Sequence, residues 1–323
     1  MELSVVVPVF NARRYLRTAL DSLVGQTVEH GRMEIVCVDD GSTDDSPEIL
    51  AEYERRCQEK AGHILRVVTL PENAGYGRAM NAGIAAACGA YVGCLEPDDY
   101  AEPKMFESLL AKAREHDADI VKSNYYEHAD SFEDDLFVEV LQGHDYDTAT
   151  SADVDKTLVL LQPCIWSAIY RRSFLAHHDI RFNETPGASY QDTAFAFKVQ
   201  CCAKRVVLVP DAFVHYRIDN PESSIHASGK EFAIYEEIAA IDAFVNADAK
   251  RREAFAALAA YRSAWLHQWN IARIKNPGAK AACNMLMSGW MQKAHAEGLI
   301  EESLFTGREM AALIRLLHYR PTA

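Results

Sequence analysis

From Leu3 to Val9 the chain is an almost unbroken apolar run rich in valine, the pattern of a strand buried on both faces of a parallel sheet. The period then changes. Ala12, Tyr15, Leu16, Ala19, Leu20, Leu23 and Val24 recur at helical spacing and give one apolar helix face. The alternation repeats: Glu34 to Val38 predicts a strand, and Asp44 to Gln58 a helix with Ile49, Leu50, Tyr53 and Cys57 turned inward. Strands over Leu65 to Leu70, Ala90 to Leu95 and Asp119 to Ser123 follow, with helices over Tyr76 to Cys88 and Pro103 to Glu115 between them. Strand–helix units of this length imply right-handed crossovers and an open, mostly parallel α/β sheet covered by helices on both faces.

Beyond Ser123 the pattern is mixed. Asp130 to Glu139 is acidic and reads as a solvated connection. Apolar runs at Cys164 to Tyr170 and Val206 to Val209 flank a helix over Thr193 to Ala203, and Ala212 to Ile218 follows. From Lys230 the chain is helical almost throughout, broken once at Pro277-Gly278, with Phe232, Tyr235, Ile238, Phe244, Leu258, Trp265, Trp269, Leu286 and Trp290 spread along it and its tryptophans read as core at helical spacing. The expected division is 1–225 for the α/β domain and 226–323 for a helical C-terminal domain.

The net charge of −14 argues against nucleic acid as a partner, although one diphosphate can be neutralised by a metal and a few donors. The N-terminus carries no basic, signal-like segment, and no apolar run reaches the length of a membrane span. Eight cysteines form no CxxC pair and sit mostly in apolar segments, as reduced thiols do. A cytoplasmic protein is expected, with docking at the inner membrane face left open.

In open α/β sheets ligands bind beyond the carboxyl ends of the strands. Four polar segments fall there: Pro8-Val9-Phe10-Asn11, Asp39 to Asp44, Asn73 to Gly77, and Glu96-Pro97-Asp98-Asp99. Three carboxylates within four residues repel one another unless a cation joins them, and hard oxygen donors suit Mn²⁺ or Mg²⁺. The same turn can also cap the helix near Pro103; its place on the shared edge favours a site. No phosphate-binding GxxxxGK[ST] loop is present, and Gly75-Tyr76-Gly77 is not a dinucleotide fingerprint. Asp192 follows a Pro-Gly loop and is read either as complementing a helix dipole or as a general base. His215 and Arg217 share one strand face with Tyr216 opposite; Arg217 with Ser223 and Ser224 could hold a diphosphate, and His215 could be a further metal ligand.

The segments VVVPVFNARRYLRTALDSLVGQT, EIVCVDDGSTDDS, NAGYGRAMNAGIAAACGAYVG, LEPDDY, IWSAIYRRSFL, SYQDTAFAFK and HYR…SS resemble, in order and spacing, the inverting GT-A glycosyltransferases of family two. The resemblance implies a Rossmann-like GT-A fold and transfer of a sugar from a nucleotide-sugar, of which a UDP-sugar is the expected kind. The acceptor implied is a hydroxyl of a glycan or lipid-linked molecule in bacterial surface-polysaccharide assembly. It places the nucleotide at Pro8, Val9, Asn11, Asp39, Asn73, Arg78, Glu96, Arg217, Ser223 and Ser224, with Glu96 facing the ribose. Asp98 becomes the ligand of Mn²⁺ or Mg²⁺, with Asp99 and His215 as lesser candidates. Asp192 becomes the base, and Trp166 and Gln191 line the acceptor side.

The chain departs from the family at Glu96, where the DxD motif begins with aspartate, at Met80, where arginine is common, and at Gln191, where an acid is common. A degenerate member that binds a nucleotide-sugar without turnover is therefore the alternative reading; a nucleotidyltransferase is weaker for want of a lysine-bearing phosphate loop. The helical tail is open to a packing role, an acceptor wall or homodimer formation.

Overall fold

The computed structural model describes residues 1–59, 62–188, 190–223 and 229–320. The chain divides into two compact units, Met1–Ser223 and Ser224–Ala323.

The first unit is built on one sheet. Strands β1 (Leu3–Val9), β2 (Met33–Asp39), β3 (Ile64–Thr69) and β4 (Tyr91–Cys94) alternate with helices α1 (Leu16–Val24), α2 (Ser46–Glu59) and α3 (Tyr76–Ala86). Strand β5 (Tyr100–Ala101), helix α4 (Met105–Glu115) and β6 (Ile120–His128) follow, then the short β7 (Leu136–Val138) and β8 (Ala149–Thr150). The unit closes with β9 (Ala168–Arg171), α5 (Arg172–His177), α6 (Gln191–Cys202) and the long β10 (Val206–Arg217). The sheet order is β3-β2-β1-β4-β9-β6-β10-β5, with β7 on β6 and β8 on β10. β1 pairs in parallel with β2 and β4, β2 with β3, and β6 with β10. β9 lies antiparallel to both β4 and β6, so it separates two groups of strands that run the same way. The carboxyl ends of β1, β2, β3, β4, β6 and β10 therefore share one edge. Every residue of β1 and β2 is buried, as expected of strands covered on both faces. Each such Val, Leu or Ile contributes roughly 1.5–3 kcal/mol by leaving water.

Two elements differ from the sequence reading. α1 begins at Leu16 and not near Ala12, because Asn11 takes a left-handed φ of 52° and the Ala12 N–H donates to Ser46 Oγ at 2.9 Å. The acidic stretch 130–139 contains β7, and its Asp135 turns inward to a histidine pair. Charge runs are usually solvated, but here His128 and His215 hold Asp135, part of the run, in the fold.

Helix α3 lies very close to the chain before α6. A Cβ on Gly77 would overlap the Asn183 carbonyl, and Asn81 clasps Phe182 through both its N–H (3.0 Å) and its carbonyl oxygen (3.0 Å). Backbone faces backbone, so little can yield. Gly77→Ala is expected to cost about 1–3 kcal/mol, seen as a Tm lowered by roughly 2–12 °C in a thermal melt. An unchanged Tm would contradict the tight seam.

The second unit is helical: α7 (Ala233–Asn246), α8 (Ala249–Arg273), α9 (Pro277–Ala296) and α10 (Gly307–Leu317). Asn276 caps α9, whose proline sits in the first turn where no N–H is needed, and Thr306 with Glu309 forms a capping box on α10. Its core includes Ile234, Ile238, Ile241, Leu258, Leu266, Met287 and Met291. Trp265, Trp269 and Trp290, expected as core, are half-buried. Among the described residues no helix is long and apolar enough to cross a membrane.

Candidate functional site

The four segments after β1 to β4 are joined by hydrogen bonds. Asn11 Oδ1 accepts from Thr43 N–H at 2.8 Å, and Ser42 N–H donates to Asp39 at 3.0 Å. Asp40 accepts from the Ala74 and Gly75 N–H groups at 2.8 and 2.9 Å, and the Tyr76 hydroxyl donates to Glu96 at 2.6 Å. Gly41, with φ of 71°, makes this possible, since a Cβ there would meet the Glu72 and Asn73 backbone. The convergence expected from topology is thus a bonded chain of contacts.

Within this frame, Asp39 and Asp40 are buried and Asn73 and Arg78 are exposed. Pro8 and Val9 are buried, so a nucleotide base could meet only their main chain. Asp98 is half-buried and accepts from Asn220 Nδ2 at 2.7 Å. Asp99 is buried; its Oδ1 accepts from Arg217 N–H at 2.8 Å, while Oδ2 has no hydrogen-bond partner among the described residues. Burial, then repulsion from Asp98, holds the Asp99 carboxyl well above its ordinary value. Burial pushes Glu96 up to about 8, against the Tyr76 hydrogen bond and helped by Asp98 and Asp192.

Asp192 stands in the first turn of α6. Burial pushes its carboxyl up to about 6, opposed by hydrogen bonding from Thr193 and by the nearby Lys122 ammonium. Lys122 is itself buried on β6 and donates to Cys164 O (2.6 Å) and Ser167 Oγ (2.9 Å), so it also braces the 3-10 turn Ile165–Ser167 that carries Trp166. Trp166 stacks on Tyr216 at 5.2 Å between centroids, and Tyr125 meets its edge at 4.8 Å.

Three of the expected site residues have partners of their own in the fold. His215 does not face the acidic turn 96–99: its Nδ1 meets Asp135 and its Nε2 meets Glu102 at 3.0 Å, between the stacked rings of Tyr100 and Tyr126. Strand alternation puts Tyr216 on the acid face instead, where burial and then Asp99, Asp98, Glu96 and Asp192 raise its hydroxyl pKa. Arg217 is buried and bonded to Asp130 (2.6 Å), Asp219 (3.2 Å) and the Asp98 carbonyl (3.2 Å), so its guanidinium is held by neighbouring acids. Gln191 is buried and donates to Thr185 Oγ1 (2.8 Å) and Gly187 O (3.1 Å), so it ties the preceding loop together. Ser223 N–H donates to Asn220 O, whereas Ser224 lies outside the described residues.

A divalent cation fits this donor set in one way. Among the described residues no three His, Cys, Asp or Glu side chains surround a common point, so a cage made by the chain alone is not built. Asp98 and the unpartnered Asp99 Oδ2 are hard oxygens beside one another, and Mg²⁺-like ions are commonly held by one or two carboxylates plus substrate phosphates. The residues therefore suit a cation shared with a diphosphate.

The sequence profile described as Glycosyl transferase family 2 matches residues 4–177, more than half of the chain and all four post-strand segments. The chain belongs to glycosyl transferase family 2. Among family relatives, the glycosyltransferase GlyG of Streptococcus pneumoniae is 30% identical over 222 residues, 67% of this chain and 70% of GlyG. EpsH of Bacillus subtilis is 33% identical over 224 residues, 67% of this chain and 60% of EpsH. The chain thus spans less than two thirds of EpsH, and likewise 62% of the B. subtilis glycosyltransferase EpsJ. Solved structures share the fold. TarS of Staphylococcus aureus in complex with UDP matches with a TM-score of 0.70 at 19% identity, over 98% of this chain and 87% of that one. The mannosyltransferase PcManGT of Pyrobaculum calidifontis, in complex with GDP-Man and Mn²⁺, matches with a TM-score of 0.58 at 17% identity, over 98% and 86%. The mixed sheet flanked by helices is that of GT-A glycosyltransferases.

Sequence reasoning passed over Tyr76, Lys122, Tyr216 and Asn220. Alternation along β10 placed Tyr216 opposite His215 and could have flagged it. A lysine inside the apolar run 119–123 was a signal of the same kind, since a buried ammonium needs partners.

Proposed function

We propose that the chain transfers a sugar, with inversion, from a nucleotide-sugar to an acceptor hydroxyl in glycan or surface-polysaccharide synthesis. The observation that carries this reading is the arrangement of Asp192, an ionisable carboxyl at the head of α6, near an acidic turn that Tyr76 links to the chain of bonds through the other post-strand segments. One base and a stabilised leaving group suffice for inverting transfer, whereas a glycosidase needs two carboxyl groups flanking the bond. Asp192 takes the proton of the acceptor hydroxyl as its oxygen bonds to the anomeric carbon. The bond from that carbon to the diphosphate breaks on the opposite side, and the electron pair leaves with the nucleoside diphosphate. Asp98, with Asp99 beside it, would hold Mn²⁺ or Mg²⁺. That ion, when bound, supplies charge compensation to the departing diphosphate. Trp166, stacked on Tyr216, forms an apolar wall for the acceptor.

UDP as the nucleotide is supported by the TarS complexes with UDP and UDP-GlcNAc, and the cation by the PcManGT complex with Mn²⁺. The TarS name, a poly(ribitol-phosphate) β-N-acetylglucosaminyltransferase, supports a cell-surface acceptor. Residues 1–225 are proposed as the catalytic domain and 226–323 as a helical domain through which peripheral membrane association or homodimer formation would act.

A panel of nucleotide-sugars assayed with and without Mn²⁺ for released nucleotide tests the reading. Tight binding with no release from any donor, in the presence of varied acceptors, would favour a binding protein without turnover. The base adds a pH signature. Asp192 must be ionised, so kcat/KM should fall about tenfold per unit below pH 6 and level off above it. A profile flat from pH 7 to pH 5 would remove Asp192 as the base.

A further inference from the structure

Glu96 and Asp98 are two residues apart yet hold different partners. Asp98 meets Asn220 beyond β10, and Glu96 meets the Tyr76 hydroxyl at the head of α3. Tyr76 is also seated against the loop that precedes Asp192. Its N–H donates to Gly187 O at 3.1 Å, and the same oxygen accepts from Gln191, the chain neighbour of Asp192. Its ring meets the edge of Phe182 at 6.0 Å, and Gly75 beside it is pressed against the Thr185 and Gly187 backbone at φ 92°. Glu96 lies within electrostatic reach of both Asp98 and Asp192, and the Tyr76 hydroxyl within reach of Asp192. The pair thus occupies the stretch between the diphosphate end of the site and the base.

In a transfer reaction that stretch is filled by the sugar being moved. On the transfer reading above, we propose that Glu96 and Tyr76 form the donor-sugar subsite, taking a hydroxyl of a hexopyranose unit. Glu96 Oε1 is held by Tyr76, while Oε2 has no partner among the described residues and is free to accept from the sugar. Glu96 is the contact, and Tyr76 is a positioning residue that fixes its rotamer and ties it to the base loop. The longer glutamate, where the family has aspartate, reaches Tyr76 and so turns toward the transferred sugar and not toward the ribose.

The test compares wild type, Tyr76→Phe and Glu96→Gln in Mn²⁺, by calorimetric titration with UDP, UDP-glucose, UDP-galactose and UDP-N-acetylglucosamine. Turnover of the best of these donors and of its monodeoxy analogues completes it. UDP affinity should agree within about twofold in all three proteins, while the best donor binds wild type more tightly than UDP does. Wild type should discriminate against one monodeoxy analogue by at least about tenfold, because a half-buried acceptor is left unpaired. In both variants that discrimination, and the advantage of the donor over UDP, should shrink to within about threefold. Tyr76→Phe keeps the ring contact and the main-chain bond, so an unchanged Tm separates this effect from misfolding. An equal loss of UDP affinity would place the pair on the nucleotide and overturn the proposal. So would unchanged discrimination in either variant, or a sugar that adds nothing to UDP binding in wild type. Wild-type binding of the expected pattern without nucleotide release from any donor would defeat the transfer reading and leave the subsite standing.

Discussion

Asp192→Asn should lower kcat by about 10²–10⁴ with little change in the affinity for UDP. The amide has the shape of the carboxylate and can still accept the Thr193 hydroxyl contact, but it cannot take a proton from the acceptor. Burial raises the Asp192 pKa to about 6, so the carboxylate present at neutral pH carries an ionisation cost in the folded protein that it does not carry in the unfolded chain. Stability attached to this group is full at low pH and declines as pH rises through about 6, which means an uncharged amide removes a cost. The variant should therefore melt at or above the wild-type Tm. Steady-state kinetics with a fixed donor, beside a thermal melt, check both halves. Wild-type turnover in the variant would end the assignment, and a collapsed Tm would make the kinetic loss uninformative about catalysis.

Asp98→Asn should reduce kcat/KM by roughly 10³, the equivalent of the several kcal/mol that a cation contributes at a developing diphosphate. An amide oxygen can still accept from Asn220, so the segment after β10 keeps its tether to the acidic turn. What is lost is the anionic oxygen. The distinguishing measurement is UDP affinity with and without Mn²⁺. The variant should match wild type without the ion and fail to gain from its addition. A variant whose affinity still rises with Mn²⁺ would shift the ligand role to Asp99, whose Oδ2 is the unpartnered buried oxygen.

The legible and illegible parts of the site divide by the range of the interaction. The turns after β1 to β4 were visible because each follows a buried apolar run, and the parallel topology forces their ends onto one edge. Asp98 and Asp192 were visible as acids in those turns and through the family resemblance. Their neighbours were not. Lys122 sits on β6 within reach of Asp192, and Tyr216 sits on β10 within reach of the acidic turn, placements that follow from a sheet order in which β9 lies between β4 and β6. Asn220 reaches Asp98 across 122 residues of chain. His215, Arg217 and Gln191 are polar groups whose partners, Asp135, Asp130 and Thr185, could not be identified until the fold placed them.

The sequence by itself determined the alternation of strand and helix, the helical character of the second unit and the identity of the acidic turn. Period, β-branching and capping are local properties that the chain carries wherever it is. The tertiary structure alone decided which face of β10 meets the acids, which polar residues are spent on bracing, and that Glu96 turns to Tyr76. Those choices rest on backbone approaches such as Gly77 against Asn183, and on buried hydrogen bonds between segments far apart in the chain. A buried polar group must find a partner, and only the folded chain settles which one is within reach.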